Sequence, residues 1–258
     1  MILKVFLRRT LTLALILAPF CHAMDQATLS VTGSIWSPYI DQTLPNNGLA
    51  AELVSTALKR AGYSIKPTVE PWSRAYQGAS IGIYDVLAAV WRTDQRAELL
   101  EFSEPYLFND IIIIARAGIG ARFTKLDDLT GFRIGVVEGY AYGGGFDEFN
   151  GAVRVSNHHL IQNLLLLDQG KIDMVIGDSW SIQHAITVYL PDAPKNWTLM
   201  PKLVTRRALH VGVSKANKNA AEIIKAINAS FVQMRQDESY LEIVTRHTGD
   251  YVMLPVKS

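Results

Sequence analysis

Short apolar runs alternate with stretches of three-four apolar spacing along nearly the whole chain, and this alternation confines it to an α/β fold. Leu29 to Thr32 reads as a first strand. Ala50, Leu53, Val54, Ala57, Leu58 and Ala61 then share one helix face, with Gly62 as the C-terminal stop. Ile65 to Val69, Val86 to Val90, Ile111 to Ala115, Ile134 to Val137 and Met174 to Ile176 have the length and character of strands. Trp180 to Tyr189 reads as a helix. Ala220, Ile223, Ile224, Ile227, Phe231 and Met234 mark a long amphipathic helix, and Leu241 to His247 a last one. No low-complexity stretch or long linker interrupts this pattern.

The first residues carry an export signal. Lys4, Arg8 and Arg9 form a basic start, Leu11 to Leu17 an apolar run, and Cys21-His22-Ala23 supplies small residues at the minus-three and minus-one positions, so cleavage after Ala23 is expected. The apolar run is too short to span a bilayer, and Pro19 breaks it. Ala18-Pro19-Phe20 is a poor lipobox, which argues against a lipid on Cys21. Cleavage removes the sequence's one cysteine, and with it disulfide and thiol chemistry. Losing Lys4, Arg8 and Arg9 takes the formal charge from +1 to −2, which implies no polyanion-binding surface. Periplasmic localisation follows.

A weak internal echo is visible. Gly82-Ile83-Tyr84-Asp85-Val86 and Gly170-Lys171-Ile172-Asp173-Met174 share a step into a strand with the Asp at the same offset from the Gly, each after a helical stretch. Two similar α/β units of this kind would face each other across a cleft, and ligands of open α/β sheets bind at strand C-terminal edges.

An ordered set of motifs resembles the polar amino-acid-binding type of periplasmic solute receptors, family 3 of the bacterial extracellular solute-binding proteins. Pro38-Tyr39 follows the first strand, and Gly48 to Leu53 resembles that family's helix start. Thr93-Asp94-Gln95-Arg96 resembles its Thr-x-x-Arg turn, and Phe102-Ser103-Glu104-Pro105-Tyr106 its Phe-Ser-x-Pro-Tyr segment. Leu126 to Val136 resembles the start of its second lobe, and Gly170 to Asp178 its Gly-x-Val-Asp-x-x-x-x-Asp ending. The resemblance implies a two-lobed periplasmic-binding-protein-like fold of type II, its lobes joined by two hinge strands. It implies lobe 1 over 24–114 and 209–258 and lobe 2 over 115–208, after a signal peptide over 1–23.

The resemblance also implies site residues. Arg96 matches the arginine that clamps a ligand carboxylate, for which a guanidinium offers a planar pair of donors. Thr93 is placed to cap the turn that carries Arg96. The alternative is a surface arginine paired with Glu98 or Glu101. Asp178 matches the acidic residue for a ligand ammonium, with an N-cap for the following helix as the other reading. Trp36, Trp72 and Tyr39 fall where the family places cleft walls, with core aromatics as the alternative.

Two positions depart from the family. Trp91 stands two residues before Thr93, where a small hydroxyl residue is usual, and Ala141 replaces another. Hydroxyl donors to a carboxylate are thereby lost, while Trp91, Tyr140 and Tyr142 add ring surface and Glu138 and Asp178 add acceptors. The expected ligand is aromatic, cationic or otherwise modified rather than a generic α-amino acid.

Other signals are quiet. Tyr140 to Gly145 lacks the lysine of a phosphate loop and reads instead as a helix start facing the cleft. His158 and His159 are adjacent, without the spacing of a metal site. No cofactor, metal or nucleic-acid partner is expected, and no nucleophile elbow is present. The reading is a monomeric binding protein that captures a small polar ligand and passes it to an ABC permease. The rival is an enzyme of the same fold acting on a small carboxylate, similar to cyclohexadienyl dehydratases, with Glu138 as its acid or base. A ligand sensor is a third reading.

Overall fold

Four consecutive isoleucines set the centre of the molecule. In the computed structural model, which describes residues 27–119, 124–200 and 204–249, they lie in β5 (Leu107–Arg116). Ile111 and Ile113 enter one core and Ile112 and Ile114 another, because alternate strand residues point to opposite faces. A strand buried on both faces reads as an unbroken apolar run. The leader over 1–23, with Cys21 and its cleavage site, lies outside the described residues.

The elements before β5 are β1 (Thr28–Ser34), α1 (Leu49–Arg60), β2 (Ser64–Glu70), α2 (Trp72–Ser80), β3 (Val86–Trp91), α3 (Asp94–Ala97) and β4 (Leu100–Phe102). After it come β6 (Arg133–Val137), β7 (Val153–Asn157), α4 (Leu160–Asp168), β8 (Met174–Asp178), α5 (Ser179–Tyr189), β9 (Trp197–Leu199), β10 (Thr205–Ser214), α6 (Ala220–Gln236) and α7 (Ser239–Thr248). The strands are ordered β2-β1-β3-β10-β5-β8-β6-β7, with β4 on β10 and β9 on β5.

That order is two mirrored halves. In the first, β2, β1 and β3 are parallel and β10 is antiparallel to them; in the second, β7, β6 and β8 are parallel and β5 is antiparallel. The halves join where β5 and β10 pair, from Thr205↔Ile111 to Leu209↔Leu107. Helices α1, α6 and α7 pack on the first half, and α4 and α5 on the second. This is the expected two-lobed α/β fold, with β5 and β10 as its hinge strands.

The internal echo has a structural counterpart. The Asp85 carboxylate accepts from the Ser30 backbone N–H at 2.8 Å, and the Ser30 carbonyl accepts from the Asp85 N–H at 3.0 Å. In the second lobe Asp173 accepts from the Arg133 N–H at 2.9 Å, and the Arg133 carbonyl accepts from the Asp173 N–H at 2.9 Å. Each aspartate thus ties the turn entering one strand to the start of its neighbour. Tyr140 to Gly145, expected to start a helix, does not: Gly143, Gly144 and Gly145 have φ of 73°, 63° and 79°, the wrong hand for an α-helix. Among the described residues no helix is long and apolar enough to cross a membrane.

Candidate functional site

The end of β3 and the turn into α3 place Trp91, Thr93 and Arg96 at the interlobe cleft. Thr93 caps α3, its Oγ1 accepting from the Arg96 N–H at 3.2 Å. Arg96 is not the surface arginine of the alternative reading, being only 6% exposed and turned inward. Its Nη1 donates to the Trp91 carbonyl at 2.6 Å and its Nη2 to the Gly139 carbonyl, on the opposite lobe, at 2.9 Å. The guanidinium lies over the Trp72 ring at 4.8 Å and near Tyr76 at 5.7 Å. Burial lowers its pKa to about 10, so it remains charged at neutral pH.

Trp36, Trp72 and Trp91 face the cleft from the first lobe and receive Tyr140 from the second. The Tyr140 ring centroid lies 6.1 Å from Trp36, 6.0 Å from Trp72 and 5.3 Å from Trp91. Trp91 is fixed by its Nε1, which donates to Asn109 Oδ1 at 2.8 Å, and Trp72 Nε1 donates to the Gly139 carbonyl at 3.1 Å. The space left among Arg96 and these rings is about 10 Å³, no more than one water would fill.

Asp178, at the end of β8, is buried and hydrogen-bonded through both carboxylate oxygens. Its Oδ1 accepts from the Ser181 N–H at 2.9 Å, which makes it the N-cap of α5, and from Tyr39 Oη at 3.0 Å across the cleft. Its Oδ2 accepts from Asn109 Nδ2 at 3.1 Å. Burial raises its pKa to about 6, against the opposing effect of these bonds. The same burial, beside Asp178, holds the Tyr39 phenol well above its ordinary range.

Beyond Asp178 the cleft opens into a chamber of about 310 Å³. The first lobe supplies Ile35 to Ser37 and Asp41; the second supplies Tyr140, Tyr142, the start of α4 and the inner face of α5. Glu138 does not reach Arg96 or the rings around it; it stands exposed at the cleft rim, 3.0 Å from His158 Nδ1. His158 and His159 line the chamber, and the His159 N–H donates to Gln162 Oε1 at 3.0 Å at the start of α4. A wider groove of about 880 Å³ runs along α1 and β2 but is lined by the first lobe only, so it does not join the lobes.

A sequence model of the bacterial extracellular solute-binding proteins, family 3, matches residues 36–250. The chain belongs to this family. A probable histidine-binding protein of Neisseria gonorrhoeae is 23% identical over 208 residues, 78% of this chain and 74% of that one. The P235GK mutant of ArgBP from T. maritima superposes with a TM-score of 0.74 at 18% identity, covering 87% of this chain and 96% of that one. A histidine kinase sensor domain with similarity to periplasmic binding proteins gives 0.75 at 20% identity, covering 89% and 99%. An ancestral arginine-binding protein bound to arginine gives 0.72 at 20%, covering 86% and 98%. At these identities the structures bear on the fold.

Of the nine sequence-derived site residues of this family 3 protein, Trp36, Trp72, Trp91, Arg96, Tyr140 and Asp178 line the two cavities between the lobes, and Thr93, Tyr39 and Glu138 do not. Arg96, Thr93, Trp72 and Trp91 lie on one side of Tyr140; Asp178 and Tyr39 lie together, Trp36 sits between the two groups, and Glu138 sits at the rim. Sequence reasoning missed Gly139, Asn109, Asp41, Ser181 and His184. Asn109 carried the one usable signal, a polar residue just ahead of four isoleucines. Among the described residues, no group of three or more His, Cys, Asp or Glu is placed to hold a metal ion.

Proposed function

We propose that this family 3 protein is a periplasmic receptor that closes around a small polar ligand, an amino acid or a related amine or carboxylate, and delivers it to an inner-membrane ABC permease. It works as a monomer, by binding alone, without cofactor or chemical step. Its lobes are those read from the sequence, 24–114 with 209–258 and 115–208, turning about the β5–β10 crossing. The observation that carries this reading is the chamber of about 310 Å³ lined from both lobes, a size that suits a small organic molecule. The similar proteins named for histidine and arginine binding support a ligand with a basic nitrogen.

The test is a thermal-shift screen of the mature protein with the twenty amino acids and small amines. At one hundred times its dissociation constant a ligand adds about 2.7 kcal/mol. At roughly 2–4 °C per kcal/mol, that raises the melting temperature by roughly 5–10 °C. No shift with any compound, or a ligand recovered chemically altered after hours with the protein, would overturn the reading.

A further inference from the structure

Resting on the solute-binding reading, we propose that the chamber beyond Asp178 is built for a small amine lacking a carboxylate, and that Arg96 is an interlobe latch rather than a ligand clamp. Both outer guanidinium nitrogens of Arg96 donate to main-chain carbonyls, one from each lobe. With about 10 Å³ beside it, a carboxylate has no room there in the closed state.

The chamber has the opposite character. Asp41 and Asp178 both line it, and among the described residues lining it there is no lysine or arginine. Three histidines are the remaining titratable bases, and burial holds one of them, His184, below its ordinary pKa, toward the neutral form. Asp41 is kept ionised by hydroxyl donors from Ser37 and Thr43 and by the Thr43 N–H, while retaining acceptor capacity toward the chamber. A ligand carboxylate would meet like charge without a partner, whereas an ammonium meets acceptors.

Two further features fit an amine. Ser181 Oγ, on a residue 3% exposed, lines the chamber without a hydrogen-bond partner; it lies beside Asp178 without the geometry of a bond. A buried hydroxyl left unsatisfied is costly; a bound N–H donor satisfies the acceptor side of Oγ and leaves its O–H to turn toward the Asp178 carboxylate. Trp36, Tyr140 and Tyr142 supply ring faces for a cation or an aromatic ring. At about 310 Å³ the chamber suits one ring or a short chain, admitted past exposed Ile35 and Tyr189.

The experiment titrates the mature protein by calorimetry at pH 7.5 with tyramine, histamine and putrescine beside tyrosine, histidine and ornithine. At least one amine is expected to bind ten-fold or more tightly than its amino acid. Its addition moves the ring-proton NMR signals of His158, His159 and His184, leaving that of His247, paired with Glu52 elsewhere, in place. Ser181→Val and Ala185→Phe, the second filling the chamber from α5, each weaken that amine ten-fold or more. The wild-type NMR result stands without them if either variant melts early. An amino acid that outbinds its amine, and loses binding in Arg96→Gln, overturns the proposal while the solute-binding reading survives. Failure of all three amines also overturns it; if no amino acid binds either, the solute-binding reading falls with it.

Discussion

Arg96 and Gly139 meet across the cleft: the Arg96 guanidinium donates to the Gly139 carbonyl at 2.9 Å, and that carbonyl also accepts from Trp72 Nε1 at 3.1 Å. Gly139 has φ of 72°, and a Cβ there would lie 3.0 Å from Trp72 Nε1. Glycine presents this carbonyl to the other lobe without strain or clash. Gly139→Ala should cost about 1–2 kcal/mol in the closed state, from the left-handed backbone alone. Small-angle scattering of the ligand-free variant should then show a larger radius of gyration than wild type. An unchanged radius and melting temperature would mean that Gly139 is no closing element.

Arg96→Ala removes two charge-assisted bonds from a buried site, although the Gly139 carbonyl keeps its bond from Trp72 Nε1. The loss should be roughly 2 kcal/mol, seen by calorimetry as a fall of roughly 4–8 °C in the ligand-free melting temperature. An unchanged melting temperature would return Arg96 to the role of a free ligand clamp.

Asp178 should make stability fall as pH rises. Its folded pKa of about 6 lies above the 3.8 of an unperturbed aspartate. The folded state therefore holds the proton more tightly, an advantage complete below about 3.8 and lost as pH climbs through 6. Two units correspond to roughly 3 kcal/mol. Denaturant melts of wild type and Asp178→Asn should show their stability difference moving against wild type by roughly that amount between pH 3.5 and 7. A flat difference would show that Asp178 titrates normally.

The paired aspartates of the two lobes act with the opposite sign. Hydrogen bonds hold Asp85 and Asp173 below the usual carboxylate range against the effect of burial. Their contribution is present above the unfolded pKa and lost as pH falls through the lower folded one. Asp85→Asn and Asp173→Asn should each cost roughly 1–2 kcal/mol at pH 7, a modest figure because both sites are partly solvated. The deficit should shrink in acid melts. A cost in one lobe only would show that the repeated motif is not equivalent.

Most of the fold was legible because its strands are either apolar throughout, as Ile111 to Ile114 are, or follow a helix-period stretch. β10 was missed: Arg206, Arg207 and His210 break its apolar run, since the strand leaves one core to reach the other at the hinge. The rings and charges of the site were legible through their motifs. Gly139 was not, because it works through a carbonyl that every residue carries. Ser181 and Asp41 were not, because burial and the facing lobe give them meaning, whereas Trp91 was legible as a departure from the family and sits against Trp36 and Tyr140.

The most direct test of ligand capture is native mass spectrometry of the mature protein taken gently from the periplasm of its own cells, followed by identification of what is released. One small molecule with a basic nitrogen is expected per chain, recovered unchanged and able to rebind the emptied protein. A polypeptide mass with nothing bound, together with no rebinding from a small-molecule extract of the same cells, would contradict it.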